Sequence, residues 1–151
     1  MKYLIGILLL FSLSTSAQYK YAVGVRFDRS PGITFKNNKG TGTSLEAMLH
    51  GFGNGAKVTL LAEKHQKAFS TGHWRWYYGA GGHLAAASRY RKWEYAEPLT
   101  QVGVDGILGI EHTFSEVPLN ISLDWKPEFN FVNYTGLYLD NVGLSLRFAI
   151  K

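Results

Sequence analysis

The sequence contains no cysteine among its 151 residues, so the chain cannot rely on the disulfide bonds that many exported domains of this size use. The absence of cysteine also excludes the lipidated residue of a lipoprotein, because that anchor is attached to a cysteine. Beyond the N-terminal segment no run of about 18 apolar residues occurs, which excludes a transmembrane helix there. The formal net charge is only +5, and basic residues are spread along the chain, so nucleic-acid binding is not expected.

The N-terminal segment, MKYLIGILLLFSLSTSAQ, has the three parts of a secretory signal peptide. Lys2 supplies the positive charge, residues 3–13 are apolar, and small residues precede a predicted cleavage site after Ala17. The apolar stretch is shorter than the ~20 residues of a membrane-spanning helix, and a polar run follows it closely, so a membrane anchor is the less favoured interpretation. We therefore predict a signal peptide at 1–17 and a single domain at 18–151.

Apolar residues recur at every second position through most of the remaining chain, and no segment keeps a helical period over three turns. Glycine, asparagine, proline and serine separate the alternating segments, as turn residues separate strands. No linker, sequence repeat or low-complexity tract interrupts the pattern. It predicts eight β-strands, at residues 19–28, 32–37, 43–51, 56–68, 73–87, 99–114, 118–132 and 138–150.

The segment PLNISLDWKPEFNFV, residues 118–132, shows the alternation most clearly. One set of alternate residues is entirely apolar, and the other carries Asp124, Lys126 and Glu128. Two architectures contain such strands. A soluble sandwich or lipocalin-like barrel buries the apolar face, whereas a membrane barrel turns the apolar face to lipid and encloses the polar one.

Three features favour the membrane barrel. Several predicted strands have 13 to 16 residues, more than the ~5–6 residues typical of globular strands. With a periplasmic N-terminus, the longest connection, residues 88–98, lies outside the cell and the short turn SEV lies on the periplasmic side, as expected. Aromatic residues then gather at two levels, like the girdles of membrane barrels. The periplasmic level comprises Tyr19, Tyr21, Trp74, Trp76, Phe114 and Phe148, and the outer level Phe27, Phe129, Phe131 and Tyr138.

Together these features resemble the small eight-stranded outer-membrane barrels of the OmpA/OmpX type, over the whole mature chain. The stretch GILGIEHTFSEVPLNISLDWKPEFNF resembles a strand-turn-strand segment that recurs in outer-membrane β-barrel proteins of unassigned role. The last strand, NVGLSLRFAIK, is similar to the terminal strand that the barrel-assembly machinery reads, although its last aromatic residue is Phe148. The resemblance implies an all-β, eight-stranded antiparallel up-and-down transmembrane β-barrel, monomeric, in the outer membrane of a Gram-negative bacterium. The implied partners are outer-membrane lipid, lipopolysaccharide and, during insertion, the assembly machinery.

The enclosed face of the predicted barrel carries acidic and basic residues in similar numbers. An eight-stranded barrel is only wide enough inside for side chains, and an unpaired charge there would cost several kcal/mol. We therefore expect a salt-bridged interior, with an ion-conducting or ligand-binding lumen as the alternative. The predicted interior charge network is Arg26, Glu46, Glu63, Arg75, Asp105, Glu111, Asp124, Lys126, Glu128 and Arg147, with Lys57 on the same face.

No residue pattern predicts catalysis, a cofactor or a metal site. Asp124 and Glu128 lie about 13 Å apart at ~3.3 Å per strand residue, beyond the ~5–9.5 Å of a glycosidase pair. Lipid A deacylases use a histidine and a serine with an acid, for which His112, Ser115 and Glu116 are the nearest candidates, but the local His-x-Ser pattern of those enzymes is absent. The sequence therefore favours a structural or interaction role. A narrow channel, a small-ligand or lipid-binding barrel and a lipid A-modifying enzyme are the alternatives.

The predicted loop SRYRKWEYAEP, residues 88–98, alternates basic and aromatic residues. It is either ordinary solvated chain or a contact surface for outer-leaflet lipid phosphates, with aromatic rings at the level of the headgroups. Similar alternation binds single-stranded nucleic acid, but an outer-surface position disfavours that function. The residues predicted for headgroup contact are Arg89, Arg91, Lys92 and Trp93.

Two details of the strands stay open at the level of sequence. Lys64 and Gln66 continue the apolar face of the fourth predicted strand, so either they lie beyond the rim or a β-bulge shifts the register. The glycines within residues 79–82 of the fifth strand indicate either a bend or close backbone approach, or a small cavity beside Tyr77.

Overall fold

The computed structural model describes residues 19–70, 72–91 and 94–151, so the predicted signal peptide lies outside the described residues. Among the described residues, no helix has the length and hydrophobicity needed to cross a membrane. The strands are β1 Tyr21–Phe27, β2 Gly32–Asn38, β3 Thr43–Phe52, β4 Gly55–Lys67, β5 Trp74–Arg91, β6 Glu94–Thr113, β7 Leu119–Trp125, β8 Glu128–Val132, β9 Gly136–Tyr138 and β10 Val142–Ile150.

The strands form one closed antiparallel sheet. Neighbours follow the order β5-β4-β3-β2-β1-β10-β7-β6, and pairing of β5 with β6 joins the two edges. β8 continues β7 against β6, and β9 pairs with β8 just before β10 begins, so the ten segments make eight barrel strands. This arrangement confirms the predicted all-β, eight-stranded antiparallel up-and-down barrel.

The two ends of the barrel carry different connections, and we call them the lower and the upper end. The lower end holds the start of β1, the end of β10 and the turns after β2, β4 and β6. Tyr21 and Ile150 pair there, across β1 and β10. The upper end holds the turns after β1, β3, β5 and β8.

Successive residues of each strand face opposite sides of the barrel wall. In β10 the alternation is strict from Val142 to Ile150, with every second residue buried. Leu146 is 41% exposed, whereas Ser145 and Arg147 on either side of it are 0% exposed. The outer wall is therefore apolar and the enclosed side polar.

The prediction of a loop at residues 88–98 is wrong, because β5 and β6 continue through most of this segment. β5 runs to Arg91 and β6 begins at Glu94, with backbone pairing of Arg91 with Glu94 and of Arg89 with Glu97. Alternation of basic and aromatic residues is compatible with a loop, but it is also the period of a strand. At 18 and 20 residues, β5 and β6 are the longest strands of the barrel.

A break interrupts the seventh barrel strand near the upper end. Pro127 separates β7 from β8 because proline has no N–H to donate to the ladder, but its carbonyl accepts a hydrogen bond from the Gly106 N–H at 2.9 Å. The Lys126 N–H bridges the gap between β9 and β10 by donating to the Asn141 carbonyl at 2.8 Å. Lys126 and Glu128 are both buried, so the break does not change which residues face inward.

The register of β4 is continuous to its lower end. Lys64 pairs with Thr43 and Tyr78, and Gln66 pairs with Trp76, without an irregularity in either ladder. The β-bulge interpretation of this strand is therefore wrong. Both side chains keep the outward phase and lie at the lower end of the outer wall.

The glycines of β5 mark close approach to β4. A Cβ on Gly81 would overlap the carbonyl oxygen of Leu60, and a Cβ on Gly79 would likewise overlap the backbone of β4. On the other side of β5, a Cβ on Gly109 would lie 2.7 Å from the Tyr77 ring. Close packing of neighbouring strands, rather than a cavity beside Tyr77, therefore accounts for these small residues.

Replacing Gly81 by alanine is expected to destabilise the barrel by about 1–3 kcal/mol, because the added methyl must displace the backbone of Leu60. Gly51→Ala is the matched control, since a Cβ at Gly51 meets nothing within 4 Å. Urea unfolding of each variant in detergent micelles measures the difference. Equal unfolding midpoints for the two variants would contradict the close approach.

Aromatic rings gather on the outer wall at the lower end. Trp74 and Trp76 are 39% and 37% exposed, and Trp76 stacks on Tyr78 with 5.4 Å between ring centroids. Tyr19 departs from the prediction for this level, since it is 4% exposed and its hydroxyl donates to Glu111 at 3.0 Å. Because Tyr19 precedes β1, the outward phase of that strand does not hold it, and it turns under the interior.

Candidate functional site

Charged and titratable side chains fill the inside of the barrel. They face inward from their strands or from the end of β1. Each carboxylate contacts an arginine, a lysine or a histidine, and each of these basic side chains contacts a carboxylate. We call this set the interior polar network. Its members are Arg26, Asp28, Lys36, Glu46, His50, Lys57, Glu63, His65, His83, Asp105, Glu111, Asp124, Lys126, Glu128 and Arg147.

Arg147 on β10 organises the lower part of the network. Its guanidinium forms a buried ion pair with Glu46 on β3. It also donates to the Ser122 hydroxyl at 2.6 Å and to the Asn120 side-chain carbonyl at 3.3 Å, both on β7. Its Nε also donates to the Thr34 hydroxyl on β2 at 3.3 Å. Planar guanidinium groups suit such multiple bonding, so one side chain connects four strands inside the barrel.

Lys36 on β2 is the second cation of the lower part. Its ammonium lies 2.8 Å from Glu63 and 3.2 Å from Glu46, and 4.3 Å above the centre of the Tyr77 ring. Lys36 is not among the residues predicted for the interior, because the predicted second strand, residues 32–37, is too short to show a clear alternation. The signal that identifies it is the alternation of Lys36 with the exposed residue Phe35.

His65 on β4 bridges two carboxylates. Its Nε2 lies 3.0 Å from Glu63 and its Nδ1 lies 3.0 Å from Glu111, while its ring stacks on Tyr77 at 5.0 Å. The contact of Nε2 with Glu63 has the geometry of a hydrogen bond, whereas the contact of Nδ1 with Glu111 is close in distance only. His65 therefore links Glu63 on its own strand with Glu111 on β6.

The middle of the network is the ion pair between Arg26 on β1 and Asp124 on β7. The two guanidinium nitrogens donate to the two carboxylate oxygens at 2.6 and 2.8 Å, and both side chains are completely buried. The Tyr77 hydroxyl donates to the same carboxylate at 2.8 Å. This bidentate geometry is the strongest form of charge-assisted hydrogen bonding between side chains.

Asp28, just above the end of β1, continues this layer toward the upper end. Its carboxylate lies 2.9 Å from the Arg26 Nε and 3.2 Å from the His50 Nε2, and it accepts a hydrogen bond from the Ser30 N–H at 3.1 Å. Burial raises the pKa of Asp28, but the bonds from His50, Ser30 and Arg26 outweigh it and hold this pKa well below its usual range.

The upper part of the network combines two lysines with two carboxylates. Lys57 lies 2.8 Å from Glu128, and Lys126 contacts the same carboxylate directly while lying 3.6 Å from Asp105. His83 Nδ1 lies 2.9 Å from Asp105. Each carboxylate therefore has a cationic or histidine partner.

A histidine and two carboxylates of this upper part are close enough to be considered as metal ligands. One ligand atom each from His83, Asp105 and Glu128 lies within 4.8 Å of the others. However, the ammonium of Lys126 contacts Glu128 and lies near Asp105, so a cation of the protein itself already balances these carboxylates. The donor set therefore fits an internal ion pair better than a metal.

The charges of the network nearly cancel. Its seven carboxylates face the five cations Arg26, Lys36, Lys57, Lys126 and Arg147 and three histidines. Two carboxylates therefore exceed the number of cations, and the histidines lie against Asp28, Glu63, Glu111 and Asp105. Buried charges are tolerated only when they are paired and hydrogen-bonded in this way.

The structure brings together most of the residues predicted for the interior, with one exception. Arg75 keeps the inward phase but is half-buried, and it lines a cavity of about 160 Å³ at the lower end together with Asn38, His65 and Lys67. Within the described part of the chain it forms no ion pair. Arg75 therefore lies at the rim and outside the network.

The other candidate residues are not assembled into a site. His112 lies on the outer wall with its ring 4.5 Å from Trp74, and no hydrogen bond in the described residues joins it to Ser115 or Glu116, which are exposed in the turn after β6. Asp124 and Glu128 belong to separate ion pairs, with Arg26 and with the two lysines. Arg89 and Arg91 belong to β5, whereas Lys92 and Trp93 lie outside the described residues.

The barrel is similar to a solved structure, the N-terminal β-barrel domain of Pseudomonas aeruginosa OprF. The TM-score is 0.57 at 12% sequence identity, and the match covers 85% of this chain and 95% of that one. No protein-family model matches the sequence, and no curated protein matches it significantly. The fold is thus that of the small eight-stranded β-barrels of the OmpA/OmpX type, as the sequence pattern predicted.

Proposed function

We propose that this chain is an integral outer-membrane β-barrel with a structural or interaction role. The barrel crosses the bilayer, keeps a packed polar interior, and presents its upper-end connections outside the cell. The signal-peptide pattern at 1–17 and the likeness to the OprF barrel support export to the outer membrane of a Gram-negative bacterium. The implied surroundings are outer-membrane lipid and lipopolysaccharide, reached through the barrel-assembly machinery.

The observation that carries this proposal is the inverted distribution of polarity. Among the residues whose burial the structure describes, 23 buried residues are polar or charged and only 8 are hydrophobic, whereas soluble proteins bury mainly apolar side chains. Large apolar residues face outward all around the wall, among them Leu60 at 61% and Leu144 at 47% exposure. An exposed apolar surface that encircles the barrel is stable in hydrocarbon and would aggregate in water.

The packed interior supports a structural role over a channel. Arg147, Lys36 and Arg26 reach across the enclosed space to carboxylates on other strands, and Met48, Leu61, Tyr77 and Ile107 form an apolar cluster between them. In planar bilayers the protein is therefore expected to give no conductance steps. Reproducible single-channel steps would favour the narrow-channel alternative.

Two properties of the expressed protein test the proposal. It should be recovered in the outer-membrane fraction and resist extraction at alkaline pH. It should also migrate faster in sodium dodecyl sulfate gels before boiling than after, because a closed barrel without edges resists the detergent. Recovery as a freely soluble periplasmic protein would contradict the proposal.

A charge on the outer wall should be costly in proportion to its depth in the bilayer. Leu146→Arg, midway along β10, is expected to destabilise the barrel by about 2–4 kcal/mol in lipid vesicles. The matched variant Val142→Arg, at the upper end of the same face, should cost only about 0–1 kcal/mol. Urea titration in phosphatidylcholine vesicles measures both, and equal losses would argue against a bilayer around this wall.

A further inference from the structure

The lower end of the barrel is strongly basic on its outside. In the part of the chain that the structure describes, a single carboxylate side chain, that of Glu116, is exposed at this end. None of the exposed lysines there forms an ion pair among the described residues. They are Lys20, Lys39, Lys64, Lys67 and Lys151.

One of these lysines differs from the rest in its position on the wall. Lys64 keeps the outward phase of β4, beside Tyr78 on β5 and Thr43 on β3. Its outward neighbour one step higher on β4 is Ala62, which pairs with Leu45 and lies in the apolar part of the wall. Lys64 therefore stands where the apolar wall meets the basic lower end.

An apolar groove opens in the wall directly above Lys64. It has a volume of about 470 Å³ and lies across β2 to β5, with Phe35, Leu45 and Leu60 among its lining residues and small residues such as Ala62 and Ala80 between them. Its volume lies within the ~300–1,000 Å³ typical of small-molecule sites. The lining residue Ala62 lies one outward position above Lys64 on β4, so an apolar slot and a lysine are neighbours on the outer wall.

We propose that this groove and Lys64 bind one anionic phospholipid of the surrounding membrane. An acyl chain would occupy the slot between Phe35 and Leu60, and the phosphate would contact the Lys64 ammonium at the lower end. The inference rests on the proposed function, since it requires the wall to lie in a bilayer. In the proposed orientation this lipid belongs to the periplasmic leaflet.

The position of the groove favours a lipid over a charged polymer. A soluble polymer would contact the end surface of the barrel, where Lys39 lies in a turn, and would have no use for an apolar slot in the wall. Trp76 and Tyr78 beside Lys64 are rings of the kind that prefer the headgroup level. A basic residue near an anionic membrane surface contributes attraction that corresponds to about a fivefold change in binding.

Quenching of tryptophan fluorescence by brominated lipids tests the proposal. The chain has four tryptophans, so Trp93→Phe with Trp125→Phe leaves Trp74 and Trp76 at the lower end as reporters. The protein is placed in phosphatidylcholine vesicles with a minor fraction of either brominated phosphatidylglycerol or brominated phosphatidylcholine. Stronger quenching by the phosphatidylglycerol is expected, and Lys64→Gln should reduce that preference about fivefold.

Matched variants separate this site from general charge attraction. Arg29→Gln removes one exposed positive charge at the upper end and should leave the preference unchanged. Ala62→Phe fills the groove without changing any charge and should lower the preference for phosphatidylglycerol. Ala86→Phe adds the same side chain to the outer face of β5 near the upper end, away from the groove, and should leave this preference unchanged. All variants are compared only after heat-modifiable mobility shows that the barrel has formed.

Several results would overturn the proposal. These are equal quenching by the two brominated lipids, an unchanged preference in Lys64→Gln or Ala62→Phe, and an equal loss in Arg29→Gln. Co-sedimentation with insoluble peptidoglycan that depends on Lys64, without any lipid preference, would instead assign the basic end to a polymer. If the protein does not insert at all, the proposed function itself has failed. If it inserts and shows no preference, the lipid site alone has failed.

Discussion

Asp124→Leu is expected to destabilise the folded barrel by about 3–5 kcal/mol, because it leaves the buried guanidinium of Arg26 without its bidentate partner. Both side chains are completely inaccessible to solvent, so water cannot replace the lost carboxylate. The Tyr77 hydroxyl also loses its acceptor. Urea unfolding in detergent micelles, followed by gel mobility without boiling, measures the loss.

The double variant Arg26→Met with Asp124→Leu is the control for this prediction. Removing both partners of a buried ion pair is often much less costly than removing one, because no uncompensated charge remains. The double variant should therefore recover part of the stability, although Asp28 loses its contact with Arg26. If the double variant loses as much unfolding free energy as the two single variants together, the two side chains are not coupled.

Arg147→Met is expected to have an effect of similar size, about 3–5 kcal/mol, since it leaves the Glu46 carboxylate buried beside a single cation. Arg147 also donates to Ser122 and Asn120, so the variant removes hydrogen bonds that connect β10 with β7 on the inner side. The variant is expected to lose its heat-modifiable gel mobility at a lower urea concentration than the unmodified protein.

A surface arginine provides the comparison for Arg147. Arg29 pairs with Asp140 at the upper end, and their side chains are 51% and 70% exposed, so Arg29→Met should leave the unfolding midpoint unchanged. A further variant, Arg147→Met with Glu46→Gln, removes the charge on both sides and should be more stable than Arg147→Met alone. If the two arginine variants unfold at the same urea concentration, the interior network does not contribute to stability as proposed.

These predictions depend on connections between strands that are far apart in sequence. Arg26 and Asp124 are 98 residues apart, and Arg147 and Glu46 are 101 residues apart. These pairs join strands that are not neighbours in the sheet, since β10 lies between β1 and β7, and β1 and β2 lie between β10 and β3. They form when the sheet curves into the barrel and brings the inner faces of these strands together. The interior network therefore favours the closed barrel over partly paired sheets with open edges.

Much of the interior could be predicted from sequence because the direction of a side chain in a strand is a local property. Once Leu144 and Leu146 are placed outward, Ser145 and Arg147 must face inward. The same reasoning assigned Glu46, Glu111 and Asp124 to the inside before any pairing was known. It missed Lys36, since the second strand was too short for its phase to be assigned.

Where a strand ends was harder to predict than which way it faces. The basic and aromatic residues after Ser88 predict a loop, but β5 continues to Arg91 and β6 begins at Glu94. The pairing partner, rather than the local composition, decides where a ladder stops. The same holds for Tyr19, whose hydroxyl reaches Glu111 from outside the first strand.

The class of fold and the polarity of each face follow from the order of the amino acids, because alternation with period two and turn residues are local features of the chain. Which charges meet depends on the folded barrel. Contacts such as Lys36 with Glu63, or His65 with Glu111, depend on the stagger of all eight strands around the closed sheet. That stagger results from backbone pairing and packing over the whole barrel, and no short stretch of sequence encodes it.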